Sequence, residues 1–536
     1  MPSRARSFIH AGINACPVLA AGAALFFALC VNGPDSATSA APQVPGNASP
    51  APASPPASPY EWFDSIIETR QLLGGAFVEI PDDVAMQQAA IAAMVGSLGD
   101  PHTVYVPPKN EREFAKQLRG TYVGIGAEID IHKNYLRIVS PIDDSPAQEA
   151  GVLPGHLVIE IDGVSTLGKS ADACMEMLLG ESGTPVTLRL RHADGREVDV
   201  SITRREIQAQ TVKGFRRSQD GWQHMIDPAR GVAYVRLTQF TETSAEALRD
   251  VVDAAIEHGA NALILDLRFN GGGALGAAIQ AADLFQRSGS IVSLRGRDGQ
   301  GRAWSASDQS TDIDLPMVVL VNEASASASE ILAGSLQEND RAKVLGTRTF
   351  GKGSVQDVRS LPSGRGTIKI TTARYYLPSG RNITRSARSS DTGEPWGVDP
   401  DPGYHVAMSD DEERAMFIAR RNWEIPGALA ADPTRWADPD WISAAPGDEG
   451  TDGAGDRQLA AAMTALQAKL AGKDWPRVGD DPGATASASD ELTRARTYRE
   501  RLLNEIEATD KRIGELEAVV EHDVRPETDG AREESK

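Results

Sequence analysis

A serine and a lysine, each set on a tight loop, are the residues of this chain best suited to attack a carbonyl. Ser327 is the middle hydroxyl of Ser325-Ala326-Ser327-Ala328-Ser329-Glu330, where an apolar strand-like run (316–321) meets a segment with Ile331, Leu332 and Leu336 at helical spacing. Lys352 lies between Gly351 and Gly353, just beyond a second strand-like run at 342–347. A serine becomes a nucleophile when a neighbouring base takes its proton, and a neutral lysine can be that base. Lysine's ordinary pKa is about 10.4, so the role requires burial, which lowers it by up to about 3–5 units. No histidine occurs between His258 and His405 to compete for the task. Glu330, and not a lysine, follows Ser327 by three positions, which excludes a Ser-x-x-Lys arrangement. A plainer reading stands beside this one. Ser327 and Glu330 also fit a helix capping box, and a lysine between glycines also fits a solvated loop tip.

The elements that must position these loops read as an α/β core. A strand at 231–237, a helix at 244–258 and a strand at 262–267 precede the loop Arg268-Phe269-Asn270-Gly271-Gly272-Gly273, which opens another helix. Gly271, Gly273 and Gly276 satisfy G-x-G-x-x-G, so a dinucleotide enzyme is a rival reading. Polar residues separate the strand from the glycines, and the next strand, near 291–294, ends without an acid to hold a ribose; both count against that rival. Between residues 120 and 205 the pattern shifts to short alternating strands broken by glycines.

The run SASASEILAGSLQ, followed by TFGKGSVQ, resembles the signature of the carboxyl-terminal processing peptidases, or tail-specific proteases. The ending Leu377-Pro378-Ser379-Gly380-Arg381 with Gly397-Val398-Asp399-Pro400-Asp401 extends the likeness to residues 60–406. The resemblance implies that Ser327 is the nucleophile, Lys352 its general base, and Gln356 a support for the lysine. It implies an oxyanion hole made by the N–H groups of Gly273 and Ala328, with no metal and no cofactor. Within 118–206, Ser145-Pro146-Ala147 to Gly151-Val152 and Pro154-Gly155 to Asp162-Gly163 resemble a PDZ domain, in which Gly124, Ile125 and Gly126 would bind a peptide carboxylate through backbone N–H groups. Ile125 would then face an apolar pocket for the last residue. Leu179 stands where relatives often carry an arginine, and Asn270-Gly271-Gly272-Gly273 where they commonly have Asn-Pro-Gly-Gly. The implied fold is multi-domain α/β: a crotonase-like protease core with an inserted β-rich PDZ domain, an N-terminal helical region and a C-terminal helical tail. The implied function is a serine endopeptidase that recognises free, apolar substrate C-termini. An inactive PDZ adaptor that only binds C-termini is the alternative, disfavoured by the joint presence of Ser327, Lys352 and Gln356.

The net charge of -21 argues against nucleic acid as a partner. Arg4 and Arg6 before the apolar run 11–31 read as an export signal or a membrane anchor, giving an extracytoplasmic location in the periplasm or cell envelope. Cys174 is the sole cysteine beyond that segment, which excludes an internal disulfide there. The expected domains are a leader or anchor (1–33), an Ala/Pro/Ser linker (34–59), a helical region (60–117), the PDZ domain (118–206), the protease core (207–407), an acidic tail region (408–488), a coiled-coil helix (489–523) and a disordered end (524–536). Apolar residues Leu492, Leu502, Ile506, Ile513 and Leu516 fit heptad spacing, which admits a homo-oligomer joined by that helix and, equally, an amphipathic helix packed on its own core.

Overall fold

The computed structural model describes residues 60–481 apart from short stretches, of which 386–394 and 426–432 are the longest, and nine helical residues between 492 and 513. The expected leader or anchor, linker and disordered end lie outside the described residues, as does most of 489–523. Within that last span Leu492, Leu502, Leu503, Ile506 and Ile513 are helical and exposed. Among the described residues no helix is long and apolar enough to cross a membrane.

The chain divides into two compact units, residues 1–105 and 106–536. The first contains helices α1 (Asp64–Ala76) and α2 (Asp83–Gly96). Asp82 starts α2 by accepting the N–H groups of Val84 and Ala85, which would otherwise lack partners.

The second unit begins with a β-rich domain. Its strands are β1 (Thr121–Gly124), β2 (Ala127–His132), β3 (Tyr135–Pro141) and β4 (Leu157–Ile161), followed by helix α3 (Ala171–Leu178), then β5 (Pro185–Arg191), β6 (Glu197–Thr203) and β7 (Arg205–Gln208). Strands β2 to β6 form one antiparallel sheet in chain order, and β1 pairs separately with β7. Leu136, Ile138, Val158, Leu188 and Ile202 fill the core beneath α3.

The remainder is one α/β body. Its elements are β8 (Val212–Lys213), β9 (Val232–Leu237), α4 (Ser244–Glu257), β10 (Ala262–Asp266), α5 (Leu275–Asp283), β11 (Ser290–Gly296), β12 (Met317–Val321), α6 (Ala328–Glu338), β13 (Lys343–Gly346), β14 (Ser354–Ser360), β15 (Thr367–Tyr376), α7 (Asp410–Trp423) and α8 (Arg457–Leu470). The central sheet has the order β8-β9-β10-β12-β13 and is parallel from β9 to β13. Every residue of β9, β10 and β12 is buried, as a parallel sheet covered on both faces requires. Successive side chains point to opposite faces. Val235, Leu265 and Val319 pack with Leu248, Ala281 and Leu332 of α4, α5 and α6. Tyr234, Ile264 and Leu320 pack with Trp436 and with Leu459, Met463 and Leu466 of α8.

The second face corrects the expected domain plan. The segment read as an acidic tail supplies the helical layer over that face, so the boundary expected at residue 407 runs through one hydrophobic core. Its acids hid this. Asp410, Asp411, Glu412 and Glu413 crowd the first turn of α7, where negative charge favours the helix dipole, while Met416 and Ala419 point inward. A second, antiparallel sheet places β15 between β14 and β11 and carries Tyr375 back to the carboxyl ends of β10 and β12.

Candidate active site

At those strand ends, where open α/β sheets place their ligands, two loops are stitched together. Asn322 accepts the N–H of Phe269 at 2.9 Å, and the Ser325 hydroxyl donates to the Leu267 carbonyl at 2.9 Å. The Asn270 carbonyl accepts both the Ala326 N–H (3.0 Å) and the Ser329 hydroxyl (2.8 Å). Asn270 itself is held by its amide, which donates to the Leu237 carbonyl at 2.8 Å and accepts the Gly272 N–H at 2.9 Å. Ser325 and Ser329 are fully buried structural hydroxyls, and Ser327 is the one serine of the three that reaches solvent.

Ser327 is also the strained one. Its φ of 58° and ψ of -113° at the N-cap of α6 lie where L-residues are rarely found, a conformation that persists only when its surroundings impose it. Those surroundings include Gly272, at φ 97°, where a Cβ would come within 2.6 Å of the Ala326 carbonyl oxygen and 2.9 Å of the Ser327 Cβ. Neighbouring Gly273 is bridged to Phe240: the Phe240 N–H donates to the Gly272 carbonyl and the Ala274 N–H to the Phe240 carbonyl. That pattern leaves the Gly273 N–H without a partner among the described residues. The N–H of Ala328, first in α6, is likewise unpartnered, as the opening turn of a helix allows.

Glu330 holds the lysine loop to the serine. Its carboxylate is fully buried, and its Oε2 accepts the Ser327 N–H at 2.8 Å and the Lys352 N–H at 2.9 Å. Its Oε1 accepts the Gly351 N–H at 2.7 Å and the Thr349 hydroxyl at 2.6 Å. Burial pushes the carboxyl up, against the pull of Thr349 and the three backbone donors. From β15, the buried Tyr375 hydroxyl reaches the Ser327 carbonyl at 3.2 Å and bonds the Lys352 carbonyl. Burial, then the charge of Glu330, holds that phenol well above its usual range.

Gly351 and Gly353 let the loop pass between neighbours. A Cβ at Gly351 would meet the Trp396 ring at 2.8 Å, and one at Gly353 the Thr384 hydroxyl at 2.5 Å. Lys352 is half-buried, whereas the neighbouring Phe350 is 49% exposed. The Gln356 amide donates to Ser354 at 2.9 Å and Thr371 at 3.1 Å, across the β14–β15 hairpin. Sequence reasoning read Glu330 as a helix cap alone and missed Tyr375. The Ser-x-x-Glu spacing was a signal for the first; nothing local signals the second.

A second cluster of backbone donors lies in the β-rich domain, between β1 and β2. The Ile125 carbonyl accepts the Ala147 N–H and the Gly126 carbonyl the Ile142 N–H, while the N–H groups of Ile125 and Gly126 have no partner among the described residues. Gly126, at φ 74°, lies where a Cβ would fall 2.4 Å from the Ser145 Cβ. The Ile125 side chain is 2% exposed and belongs to the domain core. Tyr122 and Leu179 border Gly124. The buried Arg204 packs on Gly180 and ends α3 by donating to the Met177 and Leu178 carbonyls.

The profile of peptidase family S41 matches residues 231–402, and that of the PDZ domain matches residues 137–192. The carboxy-terminal-processing protease of Bartonella bacilliformis is 35% identical over 373 residues, covering 66% of this chain and 80% of the relative. The carboxy-terminal processing protease CtpA of Bacillus subtilis is 32% identical over 322 residues, 60% of this chain and 66% of the relative. Among solved structures, the photosystem II D1 C-terminal processing protease is 27% identical and covers 64% of this chain and 87% of its own, with a TM-score of 0.38. This chain therefore belongs to peptidase family S41, the carboxy-terminal-processing proteases, and is a serine-type protease carrying a PDZ domain.

Proposed function

We propose that the chain cleaves peptide bonds with a Ser327–Lys352 dyad and selects its substrates by their free C-termini. The observation that carries the dyad is the shared acceptor: one oxygen of Glu330 takes the backbone N–H of both residues. Lys352, neutral, takes the Ser327 proton as the hydroxyl attacks the substrate carbonyl. The tetrahedral oxyanion lies between the N–H groups of Gly273 and Ala328, which have no other partner among the described residues. Lys352 then returns its proton to the leaving amine, and water releases the acyl group by the reverse sequence. Gln356 braces the β14–β15 hairpin behind the lysine loop. Because the base works neutral, kcat rises with pH through the lysine's titration.

In the PDZ domain the substrate carboxylate binds the N–H groups of the Gly124–Gly126 loop by charge-assisted hydrogen bonds, and the apolar surround of Tyr122 and Leu179 favours an apolar last residue. Arg4, Arg6 and the apolar run after them support work outside the cytoplasm. The test is peptide digestion followed by mass spectrometry, with Ser327→Ala and Lys352→Ala as controls. Products from the unaltered protein and none from either variant are expected; cleavage at an ordinary rate by either variant contradicts the dyad. Recovery of the protein in the cytosol with its first residues intact contradicts the location.

A further inference from the structure

The carboxylate loop of the PDZ domain is fastened to the protease body through a cluster of mostly buried charges. Glu128 is two residues beyond Gly126, on β2. Its carboxylate is paired with Lys213 of β8 and lies 3.5 Å from Arg421 of α7. Arg421 also donates to the Ile129 carbonyl at 3.1 Å, gripping the same strand by its backbone. On the body side, Glu424 receives Arg421 at 3.2 Å, lies 3.8 Å from Lys213 and is paired with Arg236 of β9. Side-chain exposure is 19% for Glu128, 10% for Lys213 and 3% for Glu424. Glu128, Lys213, Arg421 and Glu424 all fall outside the stretches that match the two family profiles, 137–192 and 231–402.

Buried ion pairs contribute little net stability, since desolvation offsets attraction, and they serve better to fix one arrangement among several. Here the arrangement fixed is that of β2 against the body. Lys213 pairs with Arg236 across β8 and β9, and β9 ends at Leu237, whose carbonyl holds Asn270 beside the serine loop. A carboxylate bound at Gly126 and a peptide bond bound at Ser327 therefore act on the two ends of one bonded framework. Glu128 also keeps a buried oxygen without a hydrogen bond, which leaves room for the pairing to tighten.

We propose that the Glu128–Lys213–Glu424–Arg421 cluster couples occupancy of the PDZ carboxylate loop to cleavage, with Lys213 and Arg421 as positioning residues that set how strongly turnover depends on a free substrate C-terminus. The inference rests on the carboxylate reading of the Gly124–Gly126 loop. The test uses the full chain and one peptide, supplied with a free or an amidated C-terminus. Binding and kcat/KM are both measured for the unaltered protein, Lys213→Met, Arg421→Gln and the double variant. The unaltered protein should favour the free end about tenfold or more in both quantities. Each variant should keep the preference in binding and lose at least about fivefold of it in kcat/KM, the size of an ordinary coupling between sites. The double variant should lose no more than the larger single loss, because the two residues share the partners Glu128 and Glu424. Arg421→Gln, at a side chain 23% exposed, serves if Lys213→Met fails to fold. Equal binding of both peptides by the unaltered protein overturns the carboxylate reading and the inference with it. Binding that discriminates, with a cleavage ratio unchanged to within about twofold in the variants, overturns the coupling alone.

Discussion

Two loops of this molecule present backbone N–H groups that have no partner among the described residues, and they are built to different standards. In the protease body the donors of Gly273 and Ala328 flank a serine at φ 58°, and everything around it is cross-braced. Glu330 binds four donors, Tyr375 spans two carbonyls, and Asn270 joins three loops. In the PDZ domain the donors of Ile125 and Gly126 lie on a loop held by two backbone bonds and one glycine conformation, with its firmest anchor the charged cluster at Glu128. Stabilising an oxyanion requires donors already in place when charge develops, so reorganisation there costs rate. Holding a carboxylate needs donors only within reach, and a loop that adjusts still binds.

The largest break in that comparison comes at the serine. Ser327→Ala or Lys352→Ala should lower kcat by at least about a thousandfold, as loss of a nucleophile or base does elsewhere, with thermal stability near that of the unaltered protein. Glu330→Gln should come next. An amide keeps the shape but turns one acceptor into a donor facing N–H groups, costing about 1–3 kcal/mol together with about 10–100-fold in kcat, since the two loops lose their common anchor. Peptide binding to the PDZ loop should not move. The same kinetic assay separates the two loops.

Glycine replacement sharpens the contrast. In Gly272→Ala the new Cβ meets backbone, 2.6 Å from the Ala326 oxygen, and the serine loop must shift. In Gly126→Ala it meets the Ser145 side chain at 2.4 Å, which has more freedom to give. Both carry the strain of a positive φ, about 1–2 kcal/mol. The first should lower kcat with little change in KM, and the second should weaken peptide binding with kcat at saturation preserved.

The smallest effect concerns pH. Burial would raise the Asp266 carboxyl, but the Arg268 and Arg420 guanidiniums outweigh it and hold it well below the usual carboxylate range. A carboxyl depressed in the folded state stabilises the fold above its unfolded value, about 3.9, and loses that contribution as pH falls through the lower folded value. The Asp266 contribution to melting temperature should thus be constant from about pH 7 to pH 5 and decline below about pH 4. Asp266→Asn should melt lower at pH 7 and show a shallower acid decline.

Much of the protease loop was legible because its signal is local: a serine among small residues at a helix start and a lysine between glycines sit within one short stretch. What tied them together was not. The bonds of Glu330 to Thr349, Gly351 and Lys352 arise only when β13 turns back over α6. The three serines looked alike in sequence. Burial by the Leu267–Gly273 loop separates them, so replacing Ser325 or Ser329 costs more than the pattern implied: each loses a buried hydrogen bond, about 1 kcal/mol or more. The layer over the second face of the sheet was hidden by composition. Its acids dominate the average, and Met416, Trp436 and the helically spaced Leu459, Met463 and Leu466 fall in separate segments that only the fold brings onto one face.

The most direct test of the account is the site and base-dependence of covalent labelling by a fluorophosphonate. The reagent should modify Ser327 alone, located by peptide mapping, and leave Ser325 and Ser329 untouched. Labelling should rise with pH and fall by at least about a hundredfold in Lys352→Ala, as removal of a general base demands. A label on another residue, or an undiminished rate in Lys352→Ala, would contradict the dyad.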